Sequence, residues 1–240
     1  MNTTPLRAIL RTCTTAATTT FFTLLTLAPI SATVISFPMS IEFSGATAPA
    51  GSAPWLTATF DDQNTPGSVV LTLATTNLTG TEFVREFDFN LRTTYDPATA
   101  LVFSAPTKVG TFTSPSISTL INGFKADGDG KYDVKLGFAT GGGANGRFGV
   151  GESVQYTITG AGPAAGTLVA ADFAFLSHPD GGSGPFYVAA HVQGIGTSGD
   201  FSGWITHEPG FDPFGGIPEP STLVLLAVSL CGLAQRRSFR

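Results

Sequence analysis

Tyr132-Asp-Val-Lys-Leu-Gly-Phe138 sets apolar Val134, Leu136 and Phe138 against Lys135 and Gly137 in a strict alternation. Successive side chains of a strand point to opposite faces, so this stretch predicts a strand with one face in a core. Asp127-Gly-Asp-Gly130 stands in front of it as a turn. The same alternation recurs at Ser68-Val-Val-Leu-Thr-Leu73 and at Phe87-Asp-Phe89. Trp55-Leu-Thr-Ala-Thr-Phe60 and residues 83–91, 154–159, 168–175 and 186–192 are also rich in Val, Thr, Phe and Tyr, which predicts further strands. Between them lie turn clusters at Asn64-Thr-Pro-Gly67, Asp96-Pro97, 141–146 and 179–185. No part of the body carries a sustained helical period with caps. Many short strands and Gly/Pro turns predict an all-β fold, a β-sandwich of jelly-roll or immunoglobulin-like type. No internal repeat is visible, which argues against a propeller or solenoid.

The two ends have a different grammar. Arg7 and Arg11 precede an uncharged, Thr-diluted apolar run over residues 12–31, which closes on Ile30-Ser31-Ala32. A basic start, an apolar middle and small residues at the exit are the parts of a secretory signal peptide, with cleavage expected after Ala32. At the C-terminus, Pro218-Glu219-Pro220 leads into 15 uncharged residues, 221–235, and then Arg236-Arg237-Ser238-Phe239-Arg240. A helix there rises about 1.5 Å per residue and reaches roughly 22 Å, short of a bilayer core of about 30 Å. The flanks favour a brief membrane stop: proline suits a first helical turn, and the arginines hold their end on the cytoplasmic side.

The order Pro218-Glu219-Pro220, short hydrophobic helix, terminal arginines resembles the PEP-CTERM sorting tail of Gram-negative bacteria. The resemblance implies recognition of Pro218, Glu219 and Pro220 by an exosortase, a membrane-embedded cysteine transpeptidase-like enzyme of exopolysaccharide-producing cells. The body also resembles a group of proteins that bear the same tail. The matching stretches are residues 53–60, 86–91, Phe124-Lys-Ala-Asp-Gly-Asp-Gly-Lys-Tyr-Asp133, 148–153, 189–195 and Ser202-Gly-Trp-Ile205. That likeness implies a shared fold and the same route to the cell surface, and brings no known activity with it. The chain is thus expected to divide into a signal peptide (1–32), a β domain (33–210), a linker (211–216) and a sorting tail (217–240).

Residues 33–216 hold seven Lys and Arg against sixteen Asp and Glu, a net charge of about −9, while the whole chain carries −5. An acidic body argues against nucleic acid and anionic lipid as partners of the domain. Both cysteines, Cys13 and Cys231, fall in the terminal segments, so the body has no disulfide framework and depends on its core. The phenylalanines, 20 in the whole chain and mostly in the body, are the natural material of that core.

Candidate chemistry is sparse. Asp127, Asp129 and Asp133 in a Gly-rich loop suggest calcium, but the EF-hand pattern fails. Lys131 takes the fifth position, Tyr132 replaces the required Gly at the sixth, and Phe138 stands where a bidentate Glu should close the site. The alternative reading is a tight Asp-Gly turn. His178, His191 and His207 lack a paired zinc spacing. Ser183 or Ser202 with His191 and Asp200 could form a triad, yet Gly181-Gly-Ser-Gly184 is one residue short of a nucleophile elbow. Asp61, Asp62, Glu82, Glu86 and Glu152 could pair for glycoside cleavage, with separations that the sequence leaves open. Trp55 and Trp204 could stack on sugars or pack in the core.

No metal, cofactor or catalytic set is therefore expected. The expected protein is a non-enzymatic surface or extracellular-matrix protein with exosortase as partner and exopolysaccharide as associate. It is first anchored in the inner membrane through its C-terminal helix, then released to the cell surface or medium. The alternative is a secreted carbohydrate-binding module or glycan-active enzyme on the same scaffold.

Overall fold

The structure is a computed structural model, which describes residues 32–127 and 130–215. The signal segment before Ala32, Asp129 of the acidic loop, and the tail with Pro218, Glu219 and Pro220 lie outside the described residues. In chain order the first strands are β1 (Val34–Met39), β2 (Ile41–Glu42), β3 (Leu56–Asp61), β4 (Ser68–Ala74) and β5 (Phe83–Phe89). A four-residue helix α1 (Pro97–Ala100) precedes β6 (Leu101–Phe103), β7 (Thr107–Val109), β8 (Ser116–Ala126) and β9 (Gly130–Gly137). The remaining strands are β10 (Phe148–Gly149), β11 (Ser153–Gly160), β12 (His178–Pro179), β13 (Val188–Ile195) and β14 (Phe201–Thr206).

These strands make two antiparallel sheets, in keeping with the expected all-β class. One runs β1-β3-β4-β11-β6, with β7 also on β11; the other runs β12-β9-β5-β13-β14-β2, with β10 on β5 and β8 on β9. Alternation does what the sequence promised. In β4, Val69, Leu71 and Leu73 are buried, and the residues between them are half-exposed. In β11, Val154, Tyr156 and Ile158 are buried in the same way.

The buried faces of both sheets meet in one core. At its centre Phe60 of β3 stacks on Phe173 at 4.6 Å and 14°, and meets Phe89 of β5 edge-on at 5.3 Å. Phe37 of β1 closes on Phe60 edge-on at 6.0 Å. A second group, Phe112, Phe138 and Phe148, packs ring against ring at 4.6–6.3 Å.

One expected strand is absent. Residues 168–175 contain a 3-10 turn, Ala170–Phe173, in place of a strand. Asp172 explains the departure. Its carboxylate accepts from Val169 N at 3.0 Å and from Arg92 Nε at 2.5 Å, while its carbonyl accepts from Arg92 N. The local Val169 bond and the long-range Arg92 pair together favour a turn over a ladder, and the turn aims Phe173 into the core. Conversely β8, the longest strand, is too rich in Ser, Thr and Asn to show the apolar alternation.

Replacing Phe60 by Ala is expected to cost about 3–5 kcal/mol, the range of large-to-small aromatic changes in a close-packed core. Replacing exposed Val102 by Ala should move stability by no more than about 0.5 kcal/mol. Urea unfolding of the two variants measures both, and a Phe60 loss as small as the Val102 loss would contradict this description of the core.

Candidate functional site

The acidic residues nominated by the sequence are mostly engaged in holding backbone. Asp133 is buried; its Oδ1 accepts from Asn122 N at 2.8 Å and its Oδ2 from Leu91 N at 3.1 Å. Asp127 lies in the turn before β9 with a left-handed φ of 24°. Asp133 thus serves as a strap between strands. Glu82 accepts from Ala50 N and Thr79 N, both at 2.7 Å, and Glu152 from Gly149 N at 2.7 Å and Thr111 N at 2.9 Å. Asp61 and Asp62 close the turn after β3 through Gln63 N and Asn64 N. Among the described residues no group of three or more His, Cys, Asp and Glu is arranged to hold a metal ion.

The imagined triad is not assembled. Ser183 Oγ donates to Phe43 O at 3.2 Å, and neither Ser183, Ser202 nor Asp200 bonds to His191. The His191 ring instead lies flat on Trp204, at 4.8 Å and 7°. His178 is exposed beside Lys131 in the short β12 ladder. Trp55 is a core residue whose Nε1 donates to Gly51 O at 2.6 Å.

His207 is buried among Phe37, Phe186, Tyr187 and Phe211. Tyr187 N donates to its Nε2 at 3.1 Å, so the neutral ring carries its proton on Nδ1 and donates to Glu208 O at 2.9 Å. Burial pushes its pKa below the ordinary 6.5, against a smaller upward pull from Glu208.

On the face of the second sheet turned away from the main core lies an unusual carboxylate. Asp88 is opposite Lys135 on β9 and Ala189 on β13, is fully buried, and has no hydrogen-bond donor on either oxygen. A small apolar cluster of Ala126, Tyr132 and Ala189, flanked by Phe43, Phe124 and Trp204, packs beside it. Lys135 places its Nζ over the Phe124 ring at 4.8 Å, and makes no ion pair with Asp88. Burial drives the Asp88 pKa well above its ordinary value; the neighbouring Glu86 carboxylate adds to the rise and Lys135 opposes it. Two carboxylates side by side are both acceptors, so they bond only when one keeps its proton.

Two adjoining clefts share one end of the second sheet. One, of about 340 Å³, is lined by Phe83, Thr140, Arg147, Gln193, Asp200 and Phe201 among others. A neighbouring cleft of about 480 Å³ shares Phe83 and Arg147 and continues along Glu82, Asn145, Val150 and Glu152. Two devices build this double cleft. A bulge between Gln193 and Ile195 places Gly194 at φ 75°, where Thr81 Oγ1 donates to its carbonyl at 2.8 Å; a Cβ there would stand 2.2 Å from Thr81 O. The Gly-rich loop before β10 carries Arg147, whose Nε donates to Thr140 O at 2.8 Å and whose guanidinium lies over Phe83 at 4.3 Å. Phe148, next along, anchors that loop by stacking on Phe138 at 4.6 Å.

The sequence nominated Asp200 and Ser202 at this cleft, for a different chemistry, and missed Arg147, Gln193 and Phe201. Only the Gly-rich stretch 141–146 hinted at an irregular, exposed loop there. The chain matches no protein-family model, no curated protein and no solved structure.

The two buried titrating groups give opposite pH effects. Because folding raises the Asp88 pKa, its contribution is fully present below the ordinary 3.8 and is lost as pH rises through the folded value. Asp88→Asn, which can donate to Glu86 without titrating, should raise Tm at pH 8, by roughly 2–4 °C for a gain of about 1 kcal/mol in a domain of this size. The gain should shrink toward pH 4. If the Asp88→Asn chain were less stable at pH 8 than the parent, the unsatisfied carboxylate would be contradicted. For His207, whose folded pKa is lowered, the contribution is present above 6.5 and lost as pH falls through the folded value. Nitrogen NMR of the imidazole should show the Nδ1–H tautomer with a midpoint below 6.5; a midpoint above it would refute the assigned bonds.

Proposed function

We propose that the chain is an exported, C-terminally sorted surface or extracellular-matrix protein that acts without catalysis, in association with exopolysaccharide. In this reading residues 1–32 are a signal peptide and residues 33–210 a β-sandwich of jelly-roll or immunoglobulin-like type. Residues 211–216 link it to the PEP-CTERM tail, 217–240. The single observation that carries the reading is the tail itself: Pro218-Glu219-Pro220, an uncharged helix-length run and a terminal arginine cluster. The tail serves as membrane stop and exosortase substrate, and the acidic body follows to the cell surface or matrix.

Two features of the domain support this reading. The bond between Ala32 and Thr33 falls immediately before β1, at an exposed residue. Thr33 N donates to buried Asp62 at 2.8 Å, so cleavage after Ala32 leaves an α-ammonium facing a carboxylate that already receives it. The second feature is the employment of the acids. Asp62, Glu82, Asp133, Asp172 and Glu152 are bonded to backbone amides, which suits a structural role better than proton transfer.

The full chain, produced in an exosortase-bearing Gram-negative host, tests the proposal by mass spectrometry of surface protein. Mature chains should begin at Thr33 and lack Arg240. Glu219→Ala, or loss of the exosortase, should hold the full C-terminus in the inner membrane. Surface chains that still end in Arg240 would show a plain anchor and overturn the sorting reading.

A further inference from the structure

We propose that the double cleft around Arg147 binds a neutral polysaccharide segment, with Phe201 as the platform for a sugar ring. This rests on the association with exopolysaccharide and adds the site and the chemical class of the ligand. Phe201 opens β14 with 56% of its surface exposed, at the rim of the smaller cleft. An apolar ring held open in this way is suited to the C–H face of a hexose. Its position is fixed from below: a Cβ at Gly196 would stand 2.9 Å from its Cδ2, so the turn backbone packs directly against the ring.

Around that ring are planar and short polar groups with capacity to spare. Arg147 is locked by Phe83 and Thr140 O, yet no carboxylate among the described residues pairs with it. Its terminal amino groups therefore remain as fixed donors for hydroxyls. Gln193, Asp200 and Ser202 line the same cleft, and their side chains hold no hydrogen bond among the described residues, which leaves donors and acceptors for sugar hydroxyls. Phe83 and Arg147 line both clefts, so a chain can run from one into the other. Each volume falls in the range of about 300–1,000 Å³ typical of small-ligand sites.

Charge selects the class. Arg147 faces Asp200 in one cleft and Glu82 and Glu152 in the other, on a body of net charge about −9. A polyanion would meet repulsion over the whole approach. A chain of neutral hexoses has only hydroxyls and C–H faces to offer, which are what Phe201, Arg147 and the cleft amides match.

The test uses the purified full chain and four soluble probes: a β-glucan, a dextran, a galactomannan and polygalacturonate. Affinity electrophoresis should show retardation by at least one of the three neutral polymers, and weaker or no retardation by polygalacturonate. Phe201→Ala and Arg147→Ala should each weaken that binding about tenfold, as loss of a stacking or fixed-donor contact predicts. Val102→Ala, exposed on β6 and lining neither cleft, should leave it unchanged. Because a variant can lose binding by misfolding, the parent chain is also labelled with phenylglyoxal, and bound glycan should protect Arg147. Binding of a neutral polymer with no protection of Arg147 and no loss in either variant would overturn the site and leave the glycan association standing. Tighter binding of polygalacturonate than of every neutral polymer would overturn the class. Retardation by no polymer would overturn site and association together, while export and sorting stand or fall separately on the mature termini.

Discussion

The contact between Phe60, Phe89 and Phe173 is the hinge of the architecture. It joins β3 in one sheet, β5 in the other and a turn that belongs to neither, with centroids 4.6–5.9 Å apart. With no cysteine in the body, cohesion between the sheets rests on burial of this kind and on the rings that extend it, from Phe37 through to Phe148. Large aromatic surfaces suit the task, since each removes much apolar area from water for few frozen rotors.

A consequence of so tight a core is that the loops are tied down by other means. Carboxylates do that work. They accept from backbone amides at turn after turn, and charge-assisted bonds of this sort are stronger than neutral ones. The acidic composition of the body is therefore less a solvated surface than a set of internal straps. Among the buried acids Asp88 is the exception. It sits in the middle of a sheet with nothing to accept from, and burial beside a second carboxylate raises its pKa.

The double cleft is built where the ladder is broken: at the bulge of Gly194 and at the Gly-rich loop before β10. Irregular backbone on a rigid sheet edge is a common place for binding residues, because the scaffold holds them while the loops set their direction. Arg147 shows this well. Its guanidinium is immobilised by one ring and one carbonyl, and its remaining donors are left to face outward.

The sequence by itself determined the all-β class, and the proposed address rests on it alone. Alternation at 68–73 and 132–138 and the Gly/Pro turns are short-range patterns, and a strand's two faces are written in adjacent residues. Terminal signals of the proposed kind are equally local, because a translocation machinery reads them before any fold exists. One misreading and one question left open mark the limit. Residues 168–175 looked like a strand and form a turn, because Arg92, 80 residues away, claims Asp172. The acidic loop suggested a cation site, and Asp133 proved to be a strap to β5's end and to Asn122. The cleft was invisible for the same reason. Thr81 and Gly194, 113 residues apart, meet through one hydrogen bond, and Arg147 and Phe83 through one stack. Only tertiary structure decides such pairings, because they depend on which strands become neighbours, and periodicity along the chain carries no record of that.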